Sequence, residues 1–267
     1  MKNKKSLAIV PLLLIVLVLA GGAFYFLKTR DTSVAEQSKK KSKVIEPKNI
    51  IALNDRPYVQ LIPSADGHYI DLVVNEVPKA ASEVEYELEY QSGSLLQGLQ
   101  DILKLDKLPA RSNKLFGSKS AGGAVTYHTD IKGGSLQLRF LGKENYVLKQ
   151  DWRYFDNKEK FTELSSKDGK FQLTSTDLKT LSKIVVYNTP GVPKDLKGEL
   201  ASDAYSLTAS SAIKGKGNIT LRANEEATSL KLMAYDGKSW QEVKAKVDGK
   251  TVTAEGVELR ELYVVVK

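Results

Sequence analysis

From Arg56 onward, apolar and polar residues alternate with a period of two. Glu83 to Tyr90 (EVEYELEY) alternates without a fault, and Leu136–Phe140, Phe171–Thr174 and Ile219–Arg222 follow the same rule. Successive side chains of a strand point to opposite faces, so this period predicts half-buried β-strands. Asp66-Gly67, Asp168-Gly169, Asp236-Gly237 and Asp248-Gly249 stand between such runs. Both residue types tolerate the positive φ of a tight hairpin, so each pair predicts a chain reversal. Ile184-Val185-Val186-Tyr187 is apolar throughout and predicts a strand buried on both faces. Short strands with closely spaced turns predict a mostly β chain built as sandwiches rather than around a parallel sheet.

One segment breaks the period. Ser94 followed by Gln97 resembles a capping box, and Leu95, Leu96, Leu99, Ile102 and Leu103 share one face at helical spacing. A short helix over 94–105 is expected to close one end of the first sandwich, although Gly98 costs it about 1 kcal/mol relative to alanine. An irregular loop is the alternative. The densest punctuation is Asn188-Thr189-Pro190-Gly191-Val192-Pro193. It divides a first β-sandwich domain with one short helix, 54–189, from a smaller second one, 194–267. The second is near the lower size limit for an independent core and is expected to pack on its neighbour.

Ahead of the β-rich part lies a run of another kind. Leu7 to Leu27 (LAIVPLLLIVLVLAGGAFYFL) carries no charge. At 1.5 Å per residue it covers roughly 30 Å, the thickness of a bilayer core, and Phe24, Tyr25 and Phe26 fit an interfacial belt. Residues 1–27 are therefore read as a cytoplasmic tail and single-pass transmembrane anchor, with the lipid bilayer as its partner. Lys2, Lys4 and Lys5 favour a cytoplasmic amino end, although Lys28, Arg30 and the Lys39–Lys43 cluster follow the span. Val18-Leu19-Ala20 before Gly21 has signal-peptidase spacing, so secretion after cleavage near Ala20 is the alternative. Residues 28–53 are polar and aperiodic and are read as a flexible basic linker.

Charge and composition then exclude several classes. The chain has 267 residues, a net charge of +8 and no cysteine. Disulfides, thiolate metal sites and cysteine nucleophiles are excluded. Residues 1–48 hold ten basic against three acidic side chains, a net +7, which leaves +1 for the other 219. The folded part has no basic block to neutralise a row of phosphates, so no nucleic-acid partner is expected.

PYVQLIPSADGHYIDLVV at 57–74, the Val84–Tyr90 strand and YVLKQDWRYF at 146–155 resemble immunoglobulin or fibronectin type III-like modules of bacterial surface proteins. YDGKSW at 235–240, VDGKT at 247–251 and ELYVVV at 261–266 are similar to the small β-sandwich units that end many extracytoplasmic proteins. The resemblance implies a spacer, adhesion or binding module, usually without catalysis, and supplies no site residues.

Ser211-Ala212-Ile213-Lys214 matches the S-x-x-K pattern of serine acyl-transfer enzymes, but K-T-G and S-D-N are missing. Gly117–Gly123 is glycine-rich without phosphate-loop spacing and is read as a surface loop. His68 and His128 could join a serine and a carboxylate in a triad. Asn218-Ile219-Thr220 is a glycosylation sequon. Glu83, Glu85, Glu87 and Glu89 line one face of one strand at steps of about 6.8 Å. Such a face recruits a basic partner or cations, or is a solvated face offset by neighbouring cations, and the solvated face is expected.

The expectation is a membrane-anchored extracytoplasmic β-sandwich protein of the cell envelope. It would act as a non-catalytic binding, adhesion or spacer module, with no cofactor and an envelope protein or polymer as partner. An anchored hydrolase of cell-wall or peptide substrates is the alternative.

Overall fold

The computed structural model describes residues 46–227 and 229–267. The expected anchor at 1–27, the cleavage site at Ala20 and the linker up to residue 45 lie outside the described residues. Among the described residues, no helix is long and apolar enough to cross a membrane.

The described strands open with two antiparallel hairpins, β1 (Tyr58–Pro63) with β2 (Tyr69–Glu76) and β3 (Glu83–Ser92) with β4 (Leu95–Lys104). β5 (Ala110–Leu115) returns to pair with β2, and β6 (Gly117–Lys119) with β7 (Val125–Tyr127) forms a small hairpin. β8 (Ile131–Leu141) pairs with β3 and with β9 (Tyr146–Asp156). The hairpins β10 (Glu163–Ser165) with β11 (Phe171–Thr174) and β12 (Lys183–Thr189) with β13 (Ala204–Ala209) follow. β14 (Lys216–Arg222) pairs with β11 as β5 does with β2. β15 (Lys231–Tyr235), β16 (Trp240–Val243), β17 (Lys246–Asp248), β18 (Thr251–Glu258) and β19 (Leu262–Val266) complete the described strands.

Nine of them form one sheet in the order β16-β15-β19-β13-β12-β9-β8-β3-β4. β1-β2-β5 covers one face near β9, β8 and β3; there Val59, Leu61 and Leu72 meet Tyr86, Leu88, Leu138 and Trp152. The five-stranded sheet β10-β11-β14-β18-β17 covers the other half, where Phe171, Leu173, Ile219 and Val252 meet Tyr205, Leu207, Tyr263 and Val265. The expected apolar strand explains how one sheet serves two cores. Along β12, Val185 and Tyr187 enter the first core while Ile184 and Val186 enter the second, as period-two geometry requires. The second core therefore lies on the opposite face of the large sheet.

The division expected at 189–194 falls between β12 and β13, which pair from Ile184↔Ala209 to Thr189↔Ala204. Its proline- and glycine-rich residues serve a connection between neighbouring strands of one sheet. β10 and β11, on the amino-terminal side of that division, pair with β14 and belong to the second core.

The expected short helix over 94–105 is corrected: Leu95–Lys104 is strand β4, paired to β3 along its whole length from Ser92↔Leu95 to Glu83↔Lys104. The ladder to β3 satisfies the backbone that a helix would have satisfied internally, and it turns Leu99 and Leu103 toward the first core. The Asp-Gly pairs all stand at chain reversals with a positive φ at the glycine, at Gly67, Gly169, Gly237 and Gly249, while the aspartates keep negative φ and Asp248 ends β17.

Candidate functional site

The glutamate row sits where its alternation requires, on the face of β3 away from the first core, with all four residues half-buried. The neighbouring strands supply cations. Register places Glu85 opposite Arg139 and Glu89 opposite Ser135 on β8. Arg139 Nη1 donates to Glu85 at 3.0 Å; Ser135 Oγ and Lys149 Nζ donate to Glu89 Oε2 at 2.5 and 3.2 Å. Those bonds hold the Glu89 carboxyl below its usual range, the serine hydroxyl first and the ammonium second. Glu83 and Glu87 make no ion pair among the described residues.

Arg139 has a second partner. Its Nε and Nη2 donate to the two oxygens of Glu46 at 2.7 and 3.0 Å, a bidentate fork that lowers the Glu46 carboxyl. The adjoining Asn49 donates through its backbone to Val147 O at 2.9 Å and exchanges side-chain bonds with the backbone of Lys149. Residues 46–49, within the expected linker of 28–53, are thus pinned along β9.

The two histidines do not build a triad. His68 stacks on Tyr127, with ring centroids 3.8 Å apart and 20° between planes. His128, the next residue, instead sets Nδ1 at 2.9 Å from the buried Tyr90 hydroxyl. Ser64 and Asp66 do gather beside His68, but Ser64 Oγ donates to Asp66 Oδ1 at 2.5 Å, so the proton is not offered to the imidazole. The arrangement is a turn, and it occurs twice. Ser166 Oγ donates to Asp168 Oδ1 at 2.5 Å, and Lys170 stands where His68 stands. In both turns the aspartate accepts from the backbone two residues on and the glycine N–H returns to the serine carbonyl.

The other motifs are surface features. Ser211 and Lys214 are exposed in the connection after β13, and Gly117–Gly123 lies in the β6–β7 hairpin. Asn218 is exposed on β14 and accepts a hydrogen bond from Gly256 N–H at 2.9 Å.

A concave site appears elsewhere, on the face of β15 and β16 turned away from the second core. A cavity of about 680 Å³ is lined by Met233, Tyr235, Trp240, Val266 and a set of lysines. The β15–β16 register places Tyr235 directly opposite Trp240, with ring centroids 5.2 Å apart and a 50° tilt. The turn between them is shaped by Asp236, whose Oδ1 accepts from the N–H groups of Ser239 and Lys238 at 2.8 and 3.0 Å, and these bonds lower its carboxyl. Trp240 Nε1 donates to Lys194 O at 3.2 Å, which fixes the indole against the connection that follows β12. That connection is tied down in turn by the Lys194 N–H, which meets the Glu76 carboxylate at 3.3 Å.

Charge around the cavity is uneven. Lys231 pairs with Glu242 at 2.8 Å, and Lys267 pairs with Glu199 and Glu225. Lys194, Lys197 and Lys238 line it and have no ion pair among the described residues; Asp195, which also has none there, and Glu76 line it too, so five lysines face three carboxylates, Glu242 being the third. Ring faces and ammonium groups without an ion pair are equipped to hold a ligand that is flat or apolar on one side and anionic on another. Sequence reasoning passed over this site because its lining runs from Glu76 to Lys267; the two denser stretches, 193–198 and YDGKSW at 235–240, stood out only for their prolines and their turn.

Against known proteins, the chain matches no family model, no curated protein and no solved structure.

Proposed function

We propose that this protein is a membrane-anchored, extracytoplasmic module of the cell envelope that binds without catalysis, and that its ligand is an anionic envelope polymer held in the Trp240 cavity. The observation that carries the binding reading is the Tyr235–Trp240 pair in one cavity with Lys194, Lys197 and Lys238. The uncharged run Leu7–Leu27 supports the anchor, and the antiparallel sheets packed in layers support kinship with immunoglobulin or fibronectin-like modules. The polymer supplies carboxylates or phosphates to the lysines and a ring or chain face to the indole. Attraction between such exposed charges is screened beyond roughly 10 Å at 0.1 M salt, so binding weakens as salt rises.

Two measurements on the full chain test the proposal. Carbonate extraction of membranes should leave the protein in the pellet; full-length protein in the supernatant contradicts the anchor, and a new amino terminus at Gly21 replaces it with the secreted alternative. Co-sedimentation with isolated envelope polymer should retain the protein at low salt and release it at high salt. Equal recovery with the Lys194→Gln/Lys197→Gln/Lys238→Gln variant contradicts the cavity as the binding site.

A further inference from the structure

β4 is an edge of the nine-stranded sheet. It is ten residues long and, among the described residues, is paired on one side only, by β3. It also carries the largest exposed apolar side chains of that sheet, with Leu95, Leu96 and Ile102 exposed to 63%, 66% and 54%. A long apolar edge is a ready template for another strand, and natural sheets usually blunt one with proline, a bulge or charge. Leu95–Leu103 has no proline and one charged residue, Asp101.

The backbone of β4 shows which groups are free. Leu105 N–H donates to Ser82 O at 2.9 Å, so in the antiparallel ladder the odd-numbered residues of β4 bond to β3. The even-numbered ones, from Leu96 to Lys104, point their N–H and C=O groups away from the sheet. The Ile102 N–H is one of these, and it is held by the adjacent Asp101 side chain at 2.8 Å.

The order of residues along this edge is palindromic in polarity. LLQGLQDIL, residues 95–103, reads apolar, apolar, polar, Gly, apolar, polar, polar, apolar, apolar. Turned about Leu99, Leu95 meets Leu103, Leu96 meets Ile102 and Leu99 meets itself, while Gln97 meets Asp101 and Gly98 meets Gln100. Even-numbered residues then face even-numbered ones, which is the parity that outward-pointing hydrogen-bonding groups require. No like charges oppose one another.

We infer that the occupant of this edge is a second copy of the chain, added antiparallel with a two-fold axis at Leu99, so that two nine-stranded sheets become one. An isologous contact of this kind buries the same patch on both subunits and closes without leaving β4 exposed. Asp101 keeps its ion pair with Lys114 and releases the Ile102 N–H to the partner strand.

The absence of native cysteine makes the test clean. At the axis, opposite Leu99 Cα atoms would lie about 4.5 Å apart in a non-hydrogen-bonded pair, inside the span of a disulfide. Two copies of Gln97 would lie about 14 Å apart along the same strand. Oxidation of the full-length Leu99→Cys chain in mild detergent should give a covalent dimer on a non-reducing gel, at least tenfold faster than the Gln97→Cys chain. In light scattering the unmodified chain should have twice its protomer mass, Leu96→Lys should give a monomer, and Leu96→Lys/Ile102→Glu should restore the dimer because the register sets the new charges opposite one another. Equal cross-linking at both cysteine positions, no cross-linking at either, or a mass unaffected by Leu96→Lys would overturn the inference. Should Leu99→Cys disturb folding, the exposed Leu96 and Ile102 variants decide the question.

Discussion

Arg139 holds Glu46 with two nitrogens, at 2.7 and 3.0 Å, across a separation of 93 residues in the chain. The same guanidinium reaches Glu85, so one side chain both offsets the glutamate row and fastens the segment that leads into the folded part. Arg139→Ala should free residues 46–49 while leaving the sheets intact, because exposed ion pairs contribute only about 0.2–1 kcal/mol each. Limited proteolysis with mass spectrometry should find faster cleavage between Lys48 and Arg56, with the melting temperature almost unchanged. Unchanged cleavage would show that the bonds of Asn49 to Lys149 and of Arg56 to Asn49 and Ile51 hold the segment without Arg139.

Changing Glu83, Glu85, Glu87 and Glu89 together to glutamine should preserve the fold and leave polymer binding unaltered. Glu85 and Glu89 lose ion pairs, and each loss is expected to cost up to about 1 kcal/mol, measurable by urea denaturation. Loss of binding at full stability would move the functional surface from the cavity to this face.

Acid should destabilise the protein through Glu89 and Glu46. Hydrogen bonds from Ser135 and Lys149 depress Glu89, and those from Arg139 depress Glu46. A carboxylate with a lower pKa folded than unfolded stabilises fully above its unfolded value, about 4.3 for glutamate, and withdraws that support as pH falls through the folded value. Thermal stability should therefore be flat near neutrality and fall below about pH 4. Glu89→Gln should shrink the fall; an identical acid profile would remove Glu89 from the explanation.

Tyr187 is fully buried in the first core, and its hydroxyl has no hydrogen-bond partner among the described residues. Burial without a partner pushes the phenol far above its ordinary pKa. A buried unpaired hydroxyl costs about 1–3 kcal/mol, so Tyr187→Phe should match or exceed the stability of the unaltered protein. A loss of more than about 1 kcal/mol in chemical denaturation would mean that the hydroxyl is satisfied.

Much of this architecture was legible in the sequence because a half-buried strand writes its own period. Val84, Tyr86, Leu88 and Tyr90 are buried while the intervening glutamates are not, as the alternation requires. β4 misled because Leu95, Leu96, Leu99, Ile102 and Leu103 satisfy helical spacing and also a strand whose apolar residues are partly exposed. Burial could not be inferred where the fold leaves leucine in the open. The partners of the glutamate row were illegible, since Arg139 and Lys149 reach it through register between strands distant in sequence. The cavity was illegible for the same reason: Lys194 and Trp240 meet only because the connection after β12 crosses the β15–β16 hairpin.

The most direct test of the binding account uses intrinsic fluorescence. The chain has two tryptophans; Trp152 is buried in the first core and Trp240 lines the cavity. Titrating the full chain with an acidic oligosaccharide rich in uronic acid should give a saturable change in emission that weakens with salt. The neutral oligosaccharide of the same length should give at least tenfold weaker binding, and Trp240→Phe should abolish the signal from the acidic one. No change with the acidic probe, or the same change after Trp240→Phe, would contradict the cavity as an anionic polymer site.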